Sequence, residues 1–261
     1  MGIRPRIALT FALTLPLLFC NFPTNARAAN SAPRSIALHV PVLTFHRIAP
    51  QSEIGNSLPE LVVSPQTFES RLKALQLDGW TTVTAAVLAD HVVSGVPLPK
   101  KTMVITIDDG RDDGYTYALP ILQKLHFVAT YYVITGRIGK ARYLTVTQLR
   151  SMATMGMEIG NHTLHHSGVS GRSDTYYLDE VRAAQQQLTA WLGTPPATFA
   201  YPFGLHPTGL IKAVSDVGLR LAFTTISGHS ESPSTLLLTP RIRLGASLSP
   251  RQVVWKLNHL P

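Results

Sequence analysis

The chain has 261 residues, 45% of them hydrophobic and 15% charged, with a net charge of +8. An average soluble chain is roughly 25% charged, and a charge-poor sequence with ample Val, Ile and Leu is not disordered in its main state. Gly and Pro follow no period and heptads are absent, which excludes collagen-like and coiled-coil architectures; the basic residues stand singly, without interleaved aromatics, which argues against nucleic acid as a partner.

Residues 1–6 form a short basic start, 7–19 an apolar run broken by Pro16, and Ala26-Arg27-Ala28 puts small residues where a signal peptidase reads. This layout predicts a secretory signal over 1–28 and a mature domain over 29–261, secreted or periplasmic. The apolar run is too short for a comfortable membrane span, so no span is expected after cleavage. Cleavage removes three arginines and no acid, taking +8 to +5, and removes Cys20, the single cysteine. The mature domain then has no disulfide and no cysteine metal site.

Residues 41–45 read as a short buried strand ending at His46, and 50–59 as loop. Ser64 caps a helix with Pro65 at its first position and Phe68, Leu72 and Leu75 on its apolar stripe. Residues 102–107 form a buried strand that runs into Asp108-Asp109-Gly110. A helix is expected over 115–125, a strand over 129–134, and a helix capped by Thr145 over 147–155. Residues 158–160 lead to His162. Further on come a helix over 179–191, a strand over 198–201, a helix over 208–217, strands over 221–225 and 238–242, and a helix near 250–257. Strands alternating with helices predict parallel βα units. The polar residues fall just after the strands, where α/β barrels carry chemistry. The expected fold is therefore α/β, a single-domain irregular (β/α) barrel of about seven parallel strands, with an open doubly wound sheet as the alternative.

Two adjacent carboxylates at a strand end repel each other and lose solvation unless something offsets them. A metal is the natural offset, and neighbouring residues on an extended end point to opposite sides, so one carboxylate can bind it while the other faces a water. Asp112 and Asp113 read as solvated turn or helix-start residues. His162 and His166 are four apart, the spacing that puts two imidazoles on one face of a helical turn, whereas His165 faces elsewhere. The Glu of a His-Glu-x-x-His metalloprotease is missing. One Asp with two His suits Zn²⁺ or another divalent transition metal with an open position. Tyr201-Pro202-Phe203-Gly204 is a rigid turn able to aim a backbone N–H at an oxyanion.

Thr106-Ile107-Asp108-Asp109-Gly110, His162-Thr163-Leu164-His165-His166 and Pro202-Phe203-Gly204 resemble, in order and spacing, the Thr-Phe-Asp-Asp-Gly, His-Ser/Thr-x-x-His and Pro-Tyr-Gly motifs of the polysaccharide deacetylases of carbohydrate esterase family 4. The resemblance spans about residues 40–242. It implies that Asp108 is the general base, that Asp109, His162 and His166 hold the metal with Thr163 supporting their loop, and that the Phe203 N–H serves the oxyanion, with Tyr201 and Arg241 completing the substrate site. Many relatives carry an Arg two residues before the Pro of the third motif. Ala200 stands there in this chain, and Arg241 is the candidate replacement. Pro41-Val-Leu-Thr-Phe-His46-Arg-Ile48 resembles the opening of the branch that acts on poly-β-1,6-N-acetylglucosamine, which implies His46 as the acid; His229 is the other histidine weighed for that role. The reaction implied is hydrolytic removal of N-acetyl groups from a polysaccharide, exopolysaccharide poly-β-1,6-N-acetylglucosamine foremost. The alternatives are peptidoglycan, chitin oligomers or acetylated xylan as substrate, or a glycan-binding export accessory without turnover.

Overall fold

The computed structural model describes residues 40–228, 234–245 and 247–260, and Gly2. Apart from Gly2, the expected signal with Cys20 lies outside the described residues, as does His229.

The first strand, β1 (Val42–Phe45), is wholly buried; a short β2 (Arg47–Ile48) follows and pairs with β3 (Val62–Val63). Helix α1 (Pro65–Leu77) begins where the Ser64 side chain accepts the Thr67 N–H at 3.1 Å, the expected cap with proline at the first position. β4 (Thr81–Val83) and α2 (Ala85–Ser94) come next, then β5 (Thr102–Ile107), α3 (Leu119–Lys124), β6 (Thr130–Val133), α4 (Val146–Thr154), β7 (Glu158–Asn161), α5 (Asp174–Leu192), β8 (Thr198–Ala200), α6 (Thr208–Asp216), β9 (Leu221–Ser227), β10 (Thr239–Arg243) and α7 (Pro250–Asn258).

Seven strands close a parallel barrel in the order β1, β5, β6, β7, β8, β9, β10, with β10 returning to β1. The barrel expected from the sequence is thus the fold, and the open sheet is not. Closure falls on β5, whose six residues are all buried, as in a strand covered on both faces. One edge of β5 pairs with β1 from Val42↔Val104 to Phe45↔Ile107. Its other edge carries β4 along the first half (Val83↔Val104) and β6 along the second (Thr106↔Thr130). The strand β4 and helix α2 were not read from the sequence: three residues are too few to show a period, and α2 is apolar on more than one side.

Three apolar clusters hold the molecule. One joins Val42, Val104, Tyr132, Ala200 and Phe223 of the barrel strands to Ala85, Leu88 and Ala89 of α2. The largest packs α1, α3, α4 and α7 onto the strands, with Phe45 meeting Phe68 edge-on at 5.0 Å. The third places α5 and α6 against Phe199 and Ala222. Two further boundaries differ from expectation. α5 starts at Asp174, capped by Ser173, because a polar first turn hides the helical period. The segment before α3 is a single wide turn, Gly114–Ala118.

Glu158, at the start of β7, ties three elements together. It accepts the Ala86 N–H (2.8 Å) and the hydroxyls of Thr130 (2.9 Å) and Thr198 (2.6 Å). Burial pushes its pKa above the ordinary 4.5 despite these donors. The folded state therefore favours the protonated form, and this contribution is present below pH 4.5 and is lost as pH rises through the folded value. Urea unfolding of Glu158→Gln against the native chain should show it: the stability difference should move in favour of the variant between pH 4.5 and neutrality, and a pH-independent difference would contradict this account.

Candidate active site

The chemistry-bearing residues sit just beyond the C-terminal ends of barrel strands because the ladders run on to them. Asp108 N–H donates to Phe45 O (3.0 Å), His162 N–H to Val133 O (3.2 Å) and Tyr201 N–H to Phe223 O (3.0 Å). These contacts converge on a cleft of about 560 Å³ lined by His46, Asp108, Asp109, His162, His166, Tyr201, Phe203 and Arg241, with Leu58, Glu60, Leu61 and Arg243 among its walls. All eight residues singled out in the sequence are therefore brought together.

Asp108 and Asp109 diverge, but through a turn and not through the extended strand end expected from the sequence. Asp108 is 1% exposed and turned to the barrel interior. Asp109 has φ 76, a left-handed backbone rare outside glycine, and faces the cleft. Arg241 meets Asp108 with a bidentate fork, Nη1 to Oδ1 at 2.9 Å and Nη2 to Oδ2 at 2.8 Å. The same guanidinium donates to Thr106 Oγ1 (3.1 Å) and Thr224 O (3.0 Å), so its buried donors are satisfied around the pair. Ala200, by contrast, offers only its carbonyl, 2.7 Å from His162 Nδ1. Arg241 reaches inward by ordinary strand alternation, two positions from the buried Thr239; β10 pairs with β9 at Thr239↔Phe223 and then at Arg241↔Ser227, a shift that puts the extra residues on β9. Burial pushes the Asp108 carboxyl up, but Arg241 first, then His46 and His162, leave it below the ordinary carboxylate value. His46 Nε2 lies 3.9 Å from Asp108 Oδ2, and burial lowers its pKa although both aspartates oppose this.

Asp109, His162 and His166 form the one group of three or more His, Cys, Asp or Glu able to hold a metal ion among the described residues, with one ligand atom from each within 4.8 Å of the others. Both Nε2 atoms face Asp109 Oδ1, at 3.6 Å from His162 and 3.8 Å from His166. The Ala200 carbonyl holds a proton on His162 Nδ1 and leaves Nε2 to ligate, the usual arrangement of a metal-binding imidazole. Donor type, spacing and tautomer thus fit a divalent cation. In the absence of an ion, burial and the neighbouring His162 lower His166 to about 4, so it is neutral and available at pH 7.

The histidine segment corrects one expectation. It is a loop and not a helical turn, with Thr163 at φ 66 and His166 at φ 54. Hydrogen bonds hold these strained conformations. Asn161 accepts the Thr163 N–H (2.9 Å) and donates to Val181 O on α5 (3.0 Å). Thr163 Oγ1 accepts the His166 N–H (3.0 Å), the support expected of it. Glu180 on α5 takes both the His165 N–H (2.9 Å) and the His165 ring (2.6 Å), so His165 does point away from the cleft. Asn161 and Glu180 were not read from the sequence, since one ends a strand and the other lies 15 positions from its partner on a helix.

Asp113 is a second correction: it is buried and accepts Arg47 Nε at 2.7 Å, because the turn after Gly110 folds inward onto β2. Phe203 sits at φ 57, is 57% exposed as a residue, and holds its ring 4.5 Å from the His166 ring. Its N–H makes no hydrogen bond among the described residues. Gly204 has no room for a side chain, as a Cβ would stand 2.0 Å from Thr225 Oγ1. The buried Tyr201 hydroxyl has no partner and adjoins the cleft.

A family model of polysaccharide deacetylases matches residues 95–222, the stretch that holds both aspartates, His162, His166 and the Tyr201–Gly204 turn. The chain belongs to this family. It is a deacetylase, a hydrolase of the carbohydrate esterase kind. Among solved structures the deacetylase is similar to Streptococcus pyogenes deacetylase PplD, in complex with acetate, at 27% identity and a TM-score of 0.78, covering 85% of this chain and 99% of that one. IcaB from Ammonifex degensii shares the fold at a TM-score of 0.74 and 24% identity, over 84% and 97% of the two chains. A poly-β-1,6-N-acetyl-D-glucosamine N-deacetylase of Staphylococcus aureus is 22% identical over 244 residues, 84% of each chain.

Removing the guanidinium while keeping the stem isolates the buried pair. Arg241→Met should cost about 3–5 kcal/mol at pH 7, the usual effect of stranding a buried charge, measured by urea unfolding. The cost should shrink in acid, once Asp108 is protonated in the variant.

Proposed function

We propose that this deacetylase removes N-acetyl groups from N-acetylglucosamine polymers, poly-β-1,6-N-acetylglucosamine before peptidoglycan, chitin or xylan, and that it does so outside the cytoplasm after loss of residues 1–28. The observation that carries the reading is the division of labour between two adjacent aspartates, one clamped by Arg241 beside His46 and the other facing two imidazoles. The Staphylococcus aureus relative and the Pro41–Ile48 opening favour the β-1,6 polymer.

Asp109, His162 and His166 would hold zinc or a similar divalent ion. Such an ion supplies Lewis-acid polarisation and makes a water acidic enough to ionise near neutral pH. The protein's own groups do the rest. Asp108 accepts the proton of the attacking water. Arg241 keeps that carboxylate ionised at neutral pH and, by the same attraction, keeps the proton weakly held once taken. His46, 3.9 Å away, is placed to hand a proton to the departing amine. The free Phe203 N–H points its dipole at the negative charge that develops on the acetamide oxygen, and the buried Tyr201 beneath the turn keeps that peptide in place.

Acetate release from defined N-acetylglucosamine oligomers should stop with a chelator and return with Zn²⁺, and β-1,6 oligomers should be deacetylated faster than β-1,4. Faster turnover of β-1,4 oligomers would reassign the substrate. Asp108→Asn should retain metal and lose turnover by at least about a hundredfold, the scale of a general base, whereas His162→Ala should lose both; equal metal loss in the two, measured by elemental analysis, would contradict these roles. His46→Ala should keep full metal occupancy and slow release of the amine, and unchanged turnover would remove His46 as the acid.

A further inference from the structure

A second cavity adjoins the cleft. Residues 58, 60 and 61 line the cleft, and 54–57 of the same segment line a separate pocket of about 300 Å³ with Arg47, Arg111 and Arg142. The backbone builds this pocket. Arg111 forms an isolated antiparallel bridge with Tyr143, flanked by Asp112 N–H to Arg142 O (3.3 Å) and Leu144 N–H to Gly110 O (3.0 Å). This sets Arg111, two residues past Asp109, beside Arg142. Arg142 has φ 67, and its guanidinium lies against Gly55, where a Cβ would stand 3.1 Å from Nη1. Gly55 has φ 56, a backbone conformation that favours glycine, and the guanidinium packs against its bare Cα.

The charges in this pocket are unevenly matched. Arg47 is neutralised by Asp113 at 2.7 Å. Arg111 and Arg142 have no carboxylate within 4 Å among the described residues. Arg111 lies over the Tyr143 ring at 4.6 Å, and Arg142 donates one N–H to Glu53 O at 3.1 Å. The Glu53 carboxylate turns instead to the Tyr117 hydroxyl at 2.6 Å. Two guanidinium forks therefore keep unused N–H groups on a concave wall, next to Ser57, whose oxygen accepts from Arg47 (2.7 Å) and whose O–H remains free to donate. Guanidinium forks of this kind match the paired oxygens of a carboxylate or phosphate. Pinning the 51–57 segment explains Arg47 and one N–H of Arg142; it does not explain Arg111 or the remaining donors.

We propose that Arg111 and Arg142, with Arg47 behind them, bind one oxyanion, phosphate or carboxylate, borne by a substituted N-acetylglucosamine polymer at or beside the sugar that is deacetylated; the unsubstituted β-1,6 polymer offers this pocket no ligand and is turned over without it. The polymer assignment rests on the deacetylase reading; the pocket itself does not. One continuous segment borders both cavities, 54–57 on the pocket and 58, 60 and 61 on the cleft, and this continuity favours a group on the glycan over a free anion.

The test is calorimetric titration of the full metal-loaded chain at constant ionic strength with inorganic phosphate, N-acetylglucosamine 6-phosphate and N-acetylglucosamine. The sugar phosphate should bind more tightly than inorganic phosphate. Arg111→Gln and Arg142→Gln should each weaken it about tenfold, as loss of a charged hydrogen bond does, with Arg142→Lys intermediate. In both Gln variants KM should rise for a phosphorylated oligomer and stay unchanged for an uncharged one. Unaltered sugar-phosphate affinity in both variants would overturn the pocket. Equal affinity for inorganic phosphate would overturn the glycan assignment in favour of a free anion. Binding to phosphatidylglycerol vesicles that the Gln variants lose would overturn it in favour of a lipid surface. An absence of acetate release from any oligomer would remove the deacetylase reading and leave the titration result standing.

Discussion

Two carboxylates on consecutive residues must stay ionised in one corner of a folded protein. Everything at the open end of the barrel is arranged around that constraint. A lone buried carboxylate loses far more solvation than an ordinary contact returns, so each needs its own compensation. Asp108 has a rigid guanidinium with its remaining donors tied to Thr106 and Thr224. Asp109 has two imidazoles and the cleft. The left-handed backbone at Asp109 keeps the two solutions apart, so one carboxylate stays with the guanidinium while the other stays with the imidazoles.

The supporting framework is as specific as the reacting groups. The loop from Asn161 to His166 contains two non-glycine residues in left-handed conformations, a cost of the order of 1–3 kcal/mol each. It persists because Asn161, Thr163 and Glu180 hold its backbone N–H groups. Helix α5 thereby fixes the imidazoles without touching the cleft. On the opposite side, Arg47 joins the Asp113 turn to the segment that forms the cleft wall, so the wall and the aspartate turn are one rigid piece.

Much of this was legible in the sequence because it depends on local chemistry. The run 102–107 has no polar face and could only be a fully buried strand. Ser64-Pro65 and Thr145 announce helix starts by the donors they satisfy, and the structure adds Gln148 as the other half of the Thr145 cap. The motif residues were found because chemistry restricts their types, and Arg241 was found because Ala200 cannot supply a charge. What stayed hidden depends on distance along the chain. Asp113 looks like any turn residue until Arg47, 66 positions away, folds onto it. Glu180 looks like a solvated helix face until the histidine loop reaches it. The strand β4 is too short to carry a pattern, and it exists because half of the β5 edge would otherwise lack a partner.

The counter-ion of the aspartate comes from β10, 133 positions further along the chain than its partner. Asp108, Arg241 and His46 belong to three neighbouring strands, β5, β10 and β1, that lie far apart in translation order. A nascent chain can in principle assemble the histidine loop and the aspartate turn before β10 exists, but in that state the carboxylate inside has no guanidinium and the seam between β1 and β10 is open. Competence therefore arrives with ring closure. Until residues 239–243 have docked against β1 and β9, the carboxylate that Arg241 clamps stands without its partner.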